Sequence, residues 1–362
     1  MANIVDYIQW RGDLNLEQSP FCEVDALILS YFAYVNLDGI APLQGEDPAT
    51  VGEVSERFFS RYTPQELEAD RSFIRCAPEV MRAMAKADRF RNMRVSDYVN
   101  QIALEQELQF SAVRILPGDG TSCVAFRGTD DTIVGWKEDF NLSSGVVGAE
   151  DAAVQYLNRV ENGSLLPVRI MGHSKGGNLA VYAAAQCAAD VQERIVEVYN
   201  QDGPGFMPEF LDHPGLKRIL PKIRRIVPEC SVIGMLLEHT VEPRIIASSQ
   251  SGIMQHDGLS WLVMGASFVP AEGLDPKAAI LRDTLQSWLE GLDSAGRKRL
   301  VDDFFAVLEA TGVQTLTQLQ EGGLKNAALM LKAVEELSQD TRKSIEELLR
   351  KLLSHWSEFL TC

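Results

Sequence analysis

The stretch Val168-Arg169-Ile170-Met171-Gly172-His173-Ser174-Lys175-Gly176-Gly177-Asn178 decides the fold. Its first four residues read as a short apolar strand. Residues from about 175 to 189 read as a helix. Between them lies G-x-S-x-G, the sharp strand-to-helix turn that lifts a serine out of the chain. Glycines two before and two after the serine leave room for the backbone to close such a turn. The helix behind Ser174 points its first N–H groups at any negative charge that develops there. At ordinary glycine usage the bare motif arises by chance only ~0.1 times in a chain of this length. The competing readings are an unreactive glycine-rich turn and a phosphate-binding loop. The G-x-x-x-x-G-K-[ST] order of the latter is absent.

Working outward, strands and helices alternate. Phe110 to Leu116 and Cys123 to Phe126 are apolar runs split by Pro117-Gly118-Asp119-Gly120, which predicts a hairpin. A helix is expected at about 149–161, and strands at 168–171, 195–199, 223–227 and 244–247. That alternation implies a mostly parallel sheet with crossover helices. The chain before it is helical in flavour, at 22–35, 50–61 and 77–88, and reads as packing without chemistry. Beyond about 273 the strand signals stop. Residues 278–289, 298–310, 324–337 and 341–360 show helical spacing of apolar residues. The expected organisation is an N-terminal helical segment over 1–93 packed on the core, a hydrolase core over 94–272 and a C-terminal helical region over 273–362.

Composition narrows the function. The 362 residues are 46% apolar, and 34 basic against 51 acidic side chains leave a formal charge of −17. An acidic surface argues against nucleic acid and against strong attraction to anionic membranes. Cys22, Cys76, Cys123, Cys187, Cys230 and Cys362 are scattered without metal-ligand spacing. No metal or cofactor is expected. The first residues carry neither a basic nor an apolar leader, no transmembrane run occurs, and the cytoplasm is the expected compartment.

A nucleophilic serine needs a base and a group to orient that base. Of the downstream histidines, His256 lies in a loop just after the strand at 244–247 and is favoured. His239 is the runner-up; His213 precedes Pro214 in a loop, and His355, in the last helix, reads as surface or packing. For the acid, Asp202 follows the strand at 195–199, at the carboxyl end of the sheet where ligands bind in open α/β folds. Glu229 is the alternative acid, and Asp257 reads as a turn residue.

Two blocks together carry a resemblance. Phe126-Arg127-Gly128-Thr129, followed by Trp136 and Asp139, resembles the F-R-G-T … W-x-x-D block of class 3 (fungal-type) lipases. Gly172-His173-Ser174-Lys175-Gly176-Gly177 resembles their G-H-S-x-G-G turn. This likeness covers about residues 95–265. The whole chain resembles a bacterial lipase-like family of unknown function. The resemblance implies an α/β-hydrolase fold, with oxyanion-hole donors at Thr129 and at the Lys175 amide. It implies supporting roles for Asp139 and His173, and a lid segment over Asp130 to Gly135. One departure stands out: Ser231 falls where those lipases carry their acid. Lys175 replaces a common leucine. It reads as a solvated side chain, with a preference for anionic substrates as the sharper alternative.

The expected activity is hydrolysis of carboxylic esters, lipid or lysolipid among them, through a Ser174–His256–Asp202 triad. The alternative is an impaired hydrolase acting as a binding or scaffold protein. The expected partner is a small-molecule or lipid ester, transient membrane contact stays compatible with it, and the C-terminal helices are a candidate surface for a protein partner.

Overall fold

The computed structural model describes residues 2–68, 73–103, 108–129, 137, 148–276, 278, 294–313, 318, 323–335, 337 and 342. Eight strands form one sheet in sequence order: β1 (Ala49–Thr50), β2 (Arg94–Ala103), β3 (Leu108–Leu116), β4 (Ser122–Phe126), β5 (Val168–His173), β6 (Ile195–Gln201), β7 (Ile223–Pro228) and β8 (Arg244–Ile246). Neighbours from β1 to β4 pair antiparallel, and those from β4 to β8 pair parallel. This is a mostly parallel α/β-hydrolase sheet flanked by helices. Its hairpin β3–β4 turns at Gly118 and Gly120, both at positive φ.

Period-two alternation divides the buried strands between two cores. Cys123, Ala125, Met171, Tyr199 and Ile226 face a core shared with the N-terminal helices α1 (Ile4–Arg11), α2 (Glu23–Phe32), α3 (Val51–Arg61) and α4 (Ala77–Met84). Val124, Phe126, Ile170 and Val198 face the crossover helices α5 (Gly148–Val160), α6 (Lys175–Gln186) and α7 (Pro214–Ile219). Because α2 sits directly on β5, the N-terminal helices cover the same strand that carries the serine.

Local chemistry fixes those helices. The side chains of Thr50 and Glu53 close a capping box at the start of α3. Asp25 on α2 takes a two-pronged ion pair from Arg89, through Nε at 2.8 Å and Nη2 at 2.5 Å, and the Tyr7 hydroxyl donates to it at 3.1 Å. Both charged side chains are fully buried, and the Arg89 Nη1 group also reaches the Ser19 carbonyl at 2.8 Å.

The strand β2 was not anticipated from the sequence. Its register shifts between Ser96 and Val99, and Asp97 in the bulge has φ 55°. The bulge breaks the alternation on which a strand is recognised. Past the sheet, α8 (Ser294–Glu309) and α9 (Gly323–Glu335) pack together. The helices expected at 278–289 and 341–360 lie almost wholly outside the described residues. Among the described residues no helix is long and apolar enough to cross a membrane.

Candidate active site

Ser174 stands between β5 and α6 with φ 57° and ψ −135°. A non-glycine residue there is strained, and it persists only where its surroundings over-determine it. They do so here. The Ser174 N–H donates to the Gln201 carbonyl at 2.9 Å, and its own carbonyl accepts from Gly177 at 2.8 Å. A Cβ at Gly172 would run into the Gly176 carbonyl, and one at Gly176 into the Phe126 carbonyl. The spacing of the motif is thus a steric requirement of the turn.

Three loops at the carboxyl end of the parallel strands converge on this serine. The loop after β8 brings His256, whose Nε2 lies 2.9 Å from Ser174 Oγ. The loop after β6 brings Asp202, whose Oδ2 lies 2.7 Å from His256 Nδ1. A carboxylate only accepts, so Nδ1 carries the hydrogen and Nε2 is left to accept from the serine hydroxyl. Exposure is 2% at Ser174, 7% at His256 and 0% at Asp202, so water hardly competes for these bonds.

Asp202 is itself at φ 55°. Its N–H donates to Ile226 at 2.8 Å, and the following Gly203 N–H donates to Asn200 Oδ1 at 2.8 Å. The Ser231 hydroxyl donates to its other oxygen, Oδ1. Gly234 completes the cradle, since a Cβ there would collide with Asp202 Oδ1. Below it, the buried Arg225 donates to the Gly234 carbonyl at 2.6 Å and to Val241 at 3.1 Å. Burial lowers the Arg225 guanidinium to about 10, with the nearby Asp202 charge working the other way, and it stays cationic at neutral pH.

The stretch after β4 passes against the serine. A Cβ at Gly128 would lie 3.1 Å from Ser174 Cβ, which places the buried Thr129 one residue beyond the nucleophile's flank. Lys175 opens α6, so the amide dipoles of the first turn point back toward Ser174. Its side chain departs from the expected solvated position. It is 1% exposed, and its ammonium donates to the Gln109 carbonyl of β3 at 3.1 Å. The stem lies inside the protein, where a long aliphatic chain gains from burial if its charged tip finds a carbonyl.

The other sequence candidates fall elsewhere. The Glu229 backbone ties to Ile246 and Asp275, while Nδ1 of His256 is taken by Asp202. His239 sits against the 203–205 turn, where its Nε2 would lie 2.9 Å from a Cβ at Gly205. Burial, then Arg225, lowers its imidazole to about 3. His213 caps α7 by accepting from Gly215 at 3.1 Å. Asp257 does form a turn, accepting from Leu259 N–H at 3.0 Å, but it also accepts from Tyr31. Asp139, Trp136, the stretch from Asp130 to Gly135, and His355 lie outside the described residues.

His173, the residue before the nucleophile, is buried against four rings: Tyr31, Tyr34, His256 and Trp261. Burial, and then the neighbouring His256, hold its imidazole well below the ordinary value, so it stays neutral. Among the described residues no group of three His, Cys, Asp or Glu side chains is placed to hold a metal ion.

A protein-family model described as Mbeg1-like matches residues 84–306, more than half of the chain. The chain belongs to the Mbeg1-like family. The match spans β2 to α8 and includes Ser174, Asp202 and His256, while α1, α2 and α3 lie before it. No curated protein matches the chain. Among solved structures the chain is similar to the crystal structure of M37 lipase, at 16% identity and a TM-score of 0.32, over 58% of this chain and 68% of that one. In this Mbeg1-like protein the matched region thus carries the buried Ser174, His256 and Asp202.

Proposed function

We propose that this protein is a serine hydrolase that cleaves carboxylic esters through a covalent acyl-enzyme. The observation that carries this reading is the buried chain of hydrogen bonds Ser174 Oγ to His256 Nε2 to Asp202, built on a serine at positive φ. His256 removes the hydroxyl proton as Ser174 Oγ attacks the acyl carbonyl carbon. Asp202 holds the imidazole in the required tautomer and stabilises the imidazolium. The oxyanion is met by the amides of Thr129 and Lys175, an oxyanion hole in which loss of one donor costs about 10²–10³ in rate. His256 then protonates the departing alcohol. Water attacks the acyl-serine, gives its proton to His256, and the acid leaves as Ser174 is regenerated. No metal or cofactor enters this cycle. A lipid or lysolipid ester is the substrate class we favour, in the cytoplasm, where the five described cysteines stay as free thiols.

The scaffold alternative has two grounds, the serine at position 231 and the long C-terminal helical region. The Ser231 hydroxyl donates to Asp202, so on the hydrolase reading this position supports the acid one strand earlier.

The test is covalent labelling with a fluorophosphonate, followed by a panel of activated esters of rising chain length. The wild-type chain labels and Ser174→Ala does not. Absence of labelling in both would end the hydrolase reading, and a maximum at short acyl chains would end the lipid assignment.

A further inference from the structure

The N-terminal helix α2 lies outside the residues that the family model matches, yet its Tyr31 reaches the loop of His256, and a second tyrosine following it reaches His173. Tyr34, just past the helix, places its hydroxyl 2.9 Å from His173 Nδ1 and 3.2 Å from the His173 carbonyl. The far nitrogen of that ring, Nε2, lies 2.8 Å from the carbonyl oxygen of His256. A carbonyl only accepts, so Nε2 carries the hydrogen and Nδ1 is left to accept, the single Tyr34 hydroxyl hydrogen being shared between Nδ1 and the His173 carbonyl. The ring is therefore a relay with one orientation and one tautomer. On the other side of the same peptide, the Tyr31 hydroxyl donates to the Asp257 carboxylate at 2.6 Å and accepts from Leu259 N–H at 3.3 Å. The His173 and His256 rings are 4.8 Å apart, and Trp261 closes the far side edge-on while its indole N–H ties down Gln255 at 2.9 Å.

We infer that Tyr34 and His173 are positioning residues for His256, with Tyr31 and Asp257 as a second clamp, so that helix α2 belongs to the catalytic apparatus rather than to packing alone. This rests on the hydrolase reading above. The physical reason is leverage. Backbone on both sides of the His256 carbonyl is fixed, and the imidazole hangs from that peptide toward Ser174. Tyr34 acts on more than one wall of the site, since its hydroxyl also packs where a Cβ at Gly128 would be, one residue before Thr129. A shift of about 1 Å in a reacting group costs on the order of 100-fold in rate.

The experiment uses the full chain and measures the rate constant and the end-point of fluorophosphonate labelling for wild type, His173→Phe, His173→Gln and Tyr34→Phe. Glutamine can present an amide N–H where His173 Nε2 stands; phenylalanine fills the space without it. Expected are complete end-points in all four. Labelling slows about 100-fold in His173→Phe, recovers most of the way in His173→Gln, and slows about tenfold in Tyr34→Phe. Nitrogen-15 shifts of His173 should report the Nε2–H tautomer in wild type, and in Tyr34→Phe a displaced Nδ1 resonance, since that nitrogen loses its donor while the His256 carbonyl still holds Nε2–H. A wild-type rate constant in His173→Phe overturns the inference. So does a lowered end-point with an unchanged rate constant, the mark of a purely structural role. Failure of the wild type to label would overturn the hydrolase reading instead, and the tautomer would still decide whether the relay exists.

Discussion

Ser231 and His256 take opposite oxygens of one carboxylate, the Ser231 hydroxyl donating to Asp202 Oδ1 and His256 Nδ1 to Oδ2. The carboxylate is thus oriented from both sides, with its negative charge directed at the imidazole. Replacing Asp202 by Asn puts an N–H against Nδ1 and favours the wrong tautomer. Steady-state hydrolysis of an activated ester should fall about 10⁴-fold in kcat with little change in KM. Ser231→Ala leaves the carboxylate charged but frees one oxygen, and a fall of about tenfold in kcat is expected.

Gly234 answers to the same carboxylate. Any side chain there must displace Asp202 Oδ1 or the 231–235 turn. Gly234→Ala should destabilise the protein by about 1–3 kcal/mol, as overpacking does. It should also lower kcat at temperatures where the protein remains folded. Equal kcat in the variant would mean that the turn yields without moving Asp202, which urea unfolding and ester kinetics on the same sample would reveal.

How far the sequence carried this site depends on the kind of signal each residue leaves. Ser174 is legible because the strand, the two glycines and the helix are all local. His256 and Asp202 are legible from their places just beyond strands, and the fold brings both to Ser174. Tyr31 and Tyr34 left no such trace. In a helix reading Val24, Ala26-Leu27-Ile28-Leu29, Tyr31-Phe32, their rings look like core, and the polar tips gain meaning only against Asp257, 226 residues after Tyr31, and His173, 139 residues after Tyr34. Lys175 misled for the converse reason, since a lysine is normally solvated and nothing local announces the Gln109 carbonyl. The strand β2 was hidden by its bulge at Asp97.

Acid stability follows from two buried imidazoles. His239 is lowered to about 3 by burial and then by Arg225, and His173 is lowered as well. In the unfolded chain both titrate near the ordinary value of about 6.5. Between pH 6.5 and about 3 the unfolded state therefore binds more protons. The sign is fixed by that difference: the contribution is whole above pH 6.5 and is lost as pH falls. Each imidazole adds a slope of up to about 1.4 kcal/mol per pH unit. His239→Gln should flatten the stability curve on the acid side by about half of the two-imidazole slope, read from urea midpoints between pH 7 and 4. An unchanged slope would count against a buried neutral His239.

Arg89 tests the link from packing to chemistry. Its guanidinium and the Asp25 carboxylate are both fully buried, so removing one leaves the other uncompensated. Arg89→Ala should cost about 3–5 kcal/mol. Because Asp25 anchors α2, which carries Tyr31 and leads into Tyr34, labelling of Ser174 should slow as well in the folded fraction. Asp25→Asn with Arg89→Met, an uncharged pair of similar volume, should recover most of the stability.

The C-terminal helices bear on the acid through a different contact. Val301, Phe305 and Leu308 on α8 bury themselves with Ile233, which lies between Ser231 and Gly234 in the turn that cradles Asp202. On the same helix, Asp302 pairs with Lys137 at 3.1 Å. A hydrophobic contact of this kind holds the turn by filling the space behind it, so Phe305→Ala should cost about 3 kcal/mol from the cavity it leaves. Truncation near residue 272 removes the whole contact. The expected outcome is a sheet that keeps its circular-dichroism signature while labelling of Ser174 slows by at least tenfold, as a loosened acid turn requires. A truncated chain that labels at the full-length rate would show that the turn stands without α8 and would return these helices to the role of a partner surface.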